Sequence, residues 1–299
     1  MSKSKALLIA NPNTGRYTSR RTISIEENCA ALAAFGIKFD LVSTTGPGDA
    51  ARIAAVAAEE GVEQVIVAGG DGTINEALQG LVGSKTQLAI VPRGTANVLA
   101  RELGLPLEPH RAAGVISRKI TRRVHVGVAI DETNNSQRYF LLMAGIGLDA
   151  AVVRQVTPRL KKRLGSGAFW LIGLSQLARW NPIPFTLEVN GETYCSTFVS
   201  IGNARSYGGN LGITPRASLD EPEFEICMIQ TTSRVQYLSL LSSAMRSSGL
   251  QLDEKGVCFV RATQARATGT VPVQVDGEVI GLLPMRFEIA PQMVEIVVP

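Results

Sequence analysis

The 299-residue sequence predicts an α/β domain with a parallel sheet followed by a mostly antiparallel β domain. Two patterns predict this. Up to Arg123, short aliphatic runs alternate with alanine-rich stretches that end at glycine, the order of βαβ units. Beyond Arg123 the runs alternate with period two, as in Val124-His125-Val126-Gly127-Val128 and Thr186-Leu187-Glu188-Val189, with Asn-Gly and Asp-Gly pairs between segments. The length suits two domains, and 45% apolar against 19% charged residues supplies packed cores and excludes disorder.

Taken in order, Ala6–Ala10 reads as a buried first strand, 23–35 as a helix closed by Gly36, and 38–43 as a second strand. Residues 47–60 read as a helix closed by Gly61, 65–68 as a third strand, 74–81 as a helix and 88–91 as a fourth strand. Ligands of such sheets bind outside the carboxyl ends of the strands.

Thirty Lys+Arg against 26 Asp+Glu leave a net charge of +4, which suits anionic small molecules or a membrane surface and does not point to nucleic acid. Cys29, Cys195, Cys227 and Cys258 have no metal-type spacing, and with only two histidines, His110 and His125, a zinc site is not expected. The apolar run before Asn11-Pro12 is too short for a signal-peptide core, and no stretch reaches the ~20 apolar residues of a spanning helix. A cytoplasmic location is the expectation.

The sharpest motif is Gly69-Gly70-Asp71-Gly72-Thr73, where an aliphatic strand ends and a helix begins near Ile74. Glycines allow a tight turn and close approach to a ligand, and a helix N-terminus offers unpaired N–H groups to phosphate. No Gly-Lys-Ser/Thr follows, which excludes a Walker A loop, and Asn75 stands where a dinucleotide fingerprint would place its last glycine. The alternative is an ordinary βα turn with Thr73 as cap. Two further polar loops follow strand ends, Pro92-Arg93-Gly94-Thr95-Ala96-Asn97 and Asn11-Pro12-Asn13-Thr14-Gly15, and three such loops converge on one crevice in a parallel sheet. Near the C-terminus, Val275-Asp276-Gly277-Glu278-Val279 reads either as a two-residue hairpin turn or as the carrier of a base, Glu278. Asp149, in Gly145-Ile146-Gly147-Leu148-Asp149, suits a substrate hydroxyl or a helix cap.

In combination, NPNTG, GGDGTINEAL, PRGTANVLARELGLP, GIGLDA, Tyr207-Gly208-Gly209 and VDGE resemble, in order, the diacylglycerol kinase catalytic-domain family, bacterial lipid kinases related to sphingosine kinase. The resemblance covers nearly the whole chain. It implies a first domain of NAD kinase and phosphofructokinase type, residues 1–123 with 286–299 returning to it, and a β-sandwich for lipid substrate over 124–285. It implies ATP and Mg²⁺ as cofactors and transfer of the γ-phosphoryl group to a lipid hydroxyl, of diacylglycerol or a related alcohol, in phospholipid metabolism. ATP is expected against Asn11, Pro12, Asn13, Thr14, Gly15, Thr44, Gly69, Gly70, Asp71, Gly72, Thr73, Ile74, Asn75 and Thr95. Glu278 is the implied base, Asp71 orients phosphates or magnesium, and Asp149 and Asn97 are assigned to the acceptor.

Two departures stand out. Val98 follows Asn97 where many members carry Asp, and Asp220-Glu221-Pro222 replaces the Asp-Asp-Gly of a structural magnesium site, leaving Asp220 as the residual candidate ligand. The partner implied is a lipid at a membrane surface, with homodimerisation left open. The segment between Asp149 and Glu188 offers Arg154, Arg159, Lys161, Lys162, Arg163 and Arg179 without an acidic residue, beside Trp170 and Trp180. It reads as an interfacial patch or as a core helix with a solvated basic face. The rival functions are an NAD or other small-metabolite kinase, which shares the GGDGT loop, and a catalytically silent nucleotide-binding module.

Overall fold

Strands covered on both faces need unbroken apolar runs. Gln64–Gly69 and Gln87–Pro92 have them, and these two strands form the middle of a six-stranded sheet. The structure, a computed structural model, describes residues 6–14, 17–18, 21–147, 182–207, 211–244, 250–251 and 256–299. Ala6–Ala10 pairs in parallel with Asp40–Ser43 on one side and with Gln64–Gly69 on the other. Gln64–Gly69 pairs in parallel with Gln87–Pro92. The chain therefore leaves the first strand in one direction and resumes on its opposite side, so a topological switch point lies at the carboxyl ends of Ala6–Ala10 and Gln64–Gly69.

The C-terminal strand Val294–Val297 completes this sheet, parallel to Gln87–Pro92 and antiparallel to Thr121–Val124. The first compact unit comprises Met1–Val124 and Pro291–Pro299, the second His125–Ala290. The return thus starts at Pro291 and not at 286, because Met285–Ile289 is bonded into a sheet of the second unit between Gln264–Thr268 and Gly127–Asp131.

The helix after the first strand, Ile25–Ala34, is sealed by a capping box: Ser24 accepts from Glu27 N–H and the Glu27 carboxylate accepts from Ser24 N–H. The helix after the third strand, Asp71–Leu81, begins three residues earlier than the sequence suggests. Its N-cap is Gly70 in extended backbone, which contributes no side-chain bond, so Thr73 lies inside the first turn and is not the cap.

In the second unit the alternating residues build two six-stranded antiparallel sheets. One runs Val257–Ala262, Phe224–Ile229, Phe198–Gly202, Met143–Gly147, Pro272–Val275, Glu278–Leu282; the other runs Glu192–Ser196, Phe185–Val189, Gln264–Thr268, Met285–Ile289, Gly127–Asp131, Gln137–Phe140. Their inner residues, among them Ile146, Val199, Ile226, Leu187, Ala267 and Phe287, share one buried core, which makes the unit a sandwich. Phe140 and Phe224 stack at 5.7 Å within it. Glu278–Leu282 and Gln137–Phe140 are edge strands of the two sheets.

Candidate active site

Three loops meet at the switch point of the first unit. The ladder of helix Asp71–Leu81 starts with Ile74 N–H to the Gly70 carbonyl, so the first-turn amides of Gly72 and Thr73 precede it. The helix dipole adds about half a positive charge at this end. The glycines serve different ends. Gly70 and Gly94 bring two loops into backbone contact: a Cβ on Gly94 would sit 2.7 Å from Gly70 Cα, and one on Gly70 would sit 3.1 Å from Gly94 Cα. Gly72 is exposed, and a Cβ there would meet no protein atom within 4 Å, so the protein itself does not require glycine at that position.

The second loop is held from within. Asn97 adopts φ 48°, ψ 51°, its Oδ1 accepts Gly94 N–H at 2.7 Å, and its Nδ2 donates to Gly94 O at 2.9 Å. Asp71 joins the loops: its Oδ1 accepts Leu99 N–H at 3.2 Å, in the first turn of helix Val98–Glu102. The third loop is tied in by Asn11 Nδ2, which donates to Thr73 Oγ1 at 3.0 Å. Asn11 Oδ1 accepts Asn13 N–H, and Asn11 O accepts from Thr14 Oγ1. Thr44, at the end of the neighbouring strand, is buried and donates its N–H to Ala10 O at 2.9 Å. The next residue wraps onto Asp49, whose carboxyl is held below the usual carboxylate range by the Thr45 hydroxyl, the Thr45 N–H and Arg52.

In the second unit, Val275-Asp276-Gly277-Glu278 is a two-residue hairpin, with Val275 opposite Glu278 and positive φ at Asp276 (47°) and Gly277 (84°). The Asp276 carboxylate accepts three backbone N–H bonds, from Leu141 (2.9 Å), Leu142 (2.9 Å) and Met143 (3.0 Å). The turn is thereby fixed to the adjoining strand, and Glu278 follows directly. Its side chain is 54% exposed, and Oε2 accepts from Arg138 Nη2 at 2.5 Å. The pair links the edge strands of the two sheets and leaves the carboxylate accessible.

The first part of the chain, residues 5–129, matches the family model of the diacylglycerol kinase catalytic domain, and residues 143–298 match that of the YegS C-terminal NAD kinase beta sandwich-like domain. A diacylglycerol kinase of Mycobacterium tuberculosis (strain ATCC 25618 / H37Rv) is 31% identical over 255 residues, covering 84% of this chain and 82% of the relative. The chain belongs to the diacylglycerol kinase catalytic-domain family. A diacylglycerol kinase of Bacillus subtilis (strain 168) is 27% identical, with 99% of this kinase and 96% of the relative covered. A crystal structure of a diacylglycerol kinase from Bacillus anthracis str. Sterne superposes with a TM-score of 0.75 at 22% identity over 100% of this kinase and 98% of that chain, which shows the shared fold. The kinase is accordingly a lipid kinase, with the α/β and β-sandwich architecture its sequence implied.

Of the residues assigned to nucleotide, the structure brings together Asn11, Gly69, Gly70, Asp71, Gly72 and Thr73 with the loop of Thr95 and Asn97. Pro12, Asn13 and Thr95 are exposed. Ile74 is 1% exposed and packs in the core, and Asn75 is buried with its Oδ1 accepting from Gln79 Nε2. Asn97 is 1% exposed and its amide is spent on Gly94, so it shapes the loop. Gly15, Asp149 and the basic segment with Trp170 and Trp180 lie outside the described residues. Among the described residues no helix is long and apolar enough to cross a membrane.

The acidic segment of the kinase is paired largely with arginine. Glu221 and Glu223 both pair with Arg261, and buried Glu225 accepts from Arg216 Nε at 2.6 Å and Arg216 N–H at 2.7 Å. Asp220 is exposed, and no group of three or more His, Cys, Asp or Glu residues suited to a metal occurs among the described residues. Arginine charge thus stands beside carboxylates a cation would need. The thermal midpoint of the nucleotide-free kinase is expected to be the same in EDTA and in magnesium; a lower midpoint in EDTA would restore a structural metal.

Sequence reading missed Asp276, Arg138 and Arg93 as site-building residues. Asp276 had a signal in its Asp-Gly pair, but its three donors lie 133 to 135 positions away. Asp276→Ala leaves those N–H groups without their acceptor and is expected to cost about 3 kcal/mol or more in urea unfolding, from ~1–3 kcal/mol per unmet buried group.

Proposed function

We propose that the chain transfers the γ-phosphoryl group of ATP to the hydroxyl of a lipid alcohol, with diacylglycerol the leading acceptor. The observation that carries the reading is the open N-terminus of helix Asp71–Leu81, capped by a glycine without a side-chain bond and flanked by Gly72, where a Cβ would meet nothing. A phosphate chain placed there receives the first-turn N–H groups and the helix dipole without displacing any side chain.

Bound with the nucleotide, magnesium would supply charge neutralisation to the transferring phosphoryl group. Asp71, the carboxylate that joins the two glycine loops, is the residue of this cluster that would hold it. Asp71 holds the Leu99 turn with Oδ1 and so sets the spacing of the two glycine loops. Glu278 takes the proton of the attacking hydroxyl, and Arg138 fixes the direction of its carboxylate. Asn97 keeps the Gly94 loop in shape for the acceptor side, and Asp149 is assigned to the acceptor hydroxyl. An acceptor embedded in a bilayer brings the protein to a membrane surface.

The test offers two acceptors in one reaction, diacylglycerol in mixed micelles and free NAD, and follows label from γ-labelled ATP with magnesium. Label in the chloroform phase supports the reading, with a panel of other lipid alcohols then ranking the acceptor. Label confined to an aqueous nucleotide product would replace it with a metabolite kinase.

A further inference from the structure

The end of strand Gln87–Pro92 presents an unusual charge. Arg93 follows a buried run of Leu88, Ala89, Ile90 and Val91 and is itself only 3% exposed. Its guanidinium donates from Nη1 to Asn11 O at 3.0 Å and from Nη2 to Ile23 O at 3.1 Å, while Nε has no hydrogen-bond partner among the described residues. Both acceptors are neutral carbonyls. Burial pushes this guanidinium's pKa down, opposed through space by Glu26, an exposed residue of helix Ile25–Ala34 that makes no hydrogen bond to it. A buried cation without a carboxylate partner is costly, and proteins retain one where an anion offsets it.

The placement says where that anion binds. Arg93 N–H donates to Gly69 O at 2.8 Å, so the residue stands beside the glycine loop. Asn11 O collects three donors, Thr14 N–H, Thr14 Oγ1 and Arg93 Nη1, while the Asn11 side chain reaches Thr73 in the helix's first turn. The guanidinium therefore lies one residue behind the phosphate cradle and draws toward itself a carbonyl whose negative end would repel phosphate. The guanidinium itself is buried, so its field is screened less than that of a surface charge.

We infer that Arg93 is the fixed counter-charge of the nucleotide's polyphosphate chain, acting from behind the Asn11 loop and favouring ligands in proportion to their phosphate charge. The inference rests on the nucleotide reading above and deepens it.

The experiment titrates adenosine, AMP, ADP, ATP and inorganic tripolyphosphate into wild-type protein, Arg93→Met and Glu26→Gln without magnesium. In Arg93→Met, ATP and tripolyphosphate affinity is expected to fall about tenfold or more, ADP less, and adenosine to change by less than about twofold. Glu26→Gln, an exposed change that removes the opposing charge, is expected to strengthen ATP binding about twofold to threefold with adenosine unchanged. Equal loss for adenosine and ATP in Arg93→Met would assign Arg93 to loop packing and overturn the inference. So would ATP affinity that changes in neither variant. Wild-type protein that takes up neither ATP nor tripolyphosphate would overturn the nucleotide reading, and this inference with it.

Discussion

Glu278→Gln is expected to lower kcat for lipid phosphorylation by roughly 10²–10⁴ while leaving ATP affinity unchanged, the span of a general base removed from its reaction. The two halves of that expectation come from separate parts of the structure. Glu278 begins an edge strand of the sandwich unit, whereas every loop assigned to ATP belongs to the α/β unit. The turn that carries Glu278 is fixed by Asp276 and not by Glu278, so the amide variant keeps its fold. Initial rates at saturating acceptor, beside ATP titration of the same preparation, separate the two parameters. Near-normal kcat would remove Glu278 from the chemistry.

Two glycine substitutions in the cradle are expected to part company. Gly94→Ala forces a methyl group to 2.7 Å from Gly70 Cα and 2.9 Å from Asn97 Oδ1, against backbone and an amide already committed. Overpacking of this kind costs about 1–3 kcal/mol and here separates the loops, so thermal stability and ATP affinity fall together. Gly72→Ala meets nothing in the protein and lies within the first helical turn, where alanine gains up to about 1 kcal/mol over glycine. Its stability holds or rises while ATP affinity falls about 10- to 100-fold, as expected for a lost charge-assisted bond of ~1.5–3 kcal/mol. A Gly72→Ala protein that binds ATP normally would show that the triphosphate does not approach that backbone.

The parts of this fold legible in the sequence are those set by local chemistry. Unbroken aliphatic runs marked the central parallel strands, and period-two alternation marked the sandwich, because burial on two faces or one dictates those patterns. Asp276-Gly277 marked a two-residue turn because few other pairs tolerate positive φ at both central positions. The helix begins at Asp71, three residues before the sequence pattern marks it, since nothing in Gly69-Gly70-Asp71-Gly72 favours a helix apart from the extended Gly70 that caps it. Long-range pairs were invisible for a plainer reason. Asp71 to Leu99, Arg93 to Asn11 and Asp276 to Leu141 span 28, 82 and 135 positions, and only the sheet order brings those positions together. Arg93 carried one local clue, a charge at the end of an apolar strand, and the clue names no partner.

Phosphoryl transfer to a lipid hydroxyl is open to a single-turnover measurement. Protein in excess over γ-labelled ATP and magnesium is mixed with micelles containing diacylglycerol, and label is counted in the organic phase against time. One phosphate per ATP is expected to appear there, only when diacylglycerol is present. Label that stays on ATP, or that is released as inorganic phosphate whether or not the lipid is added, would contradict it.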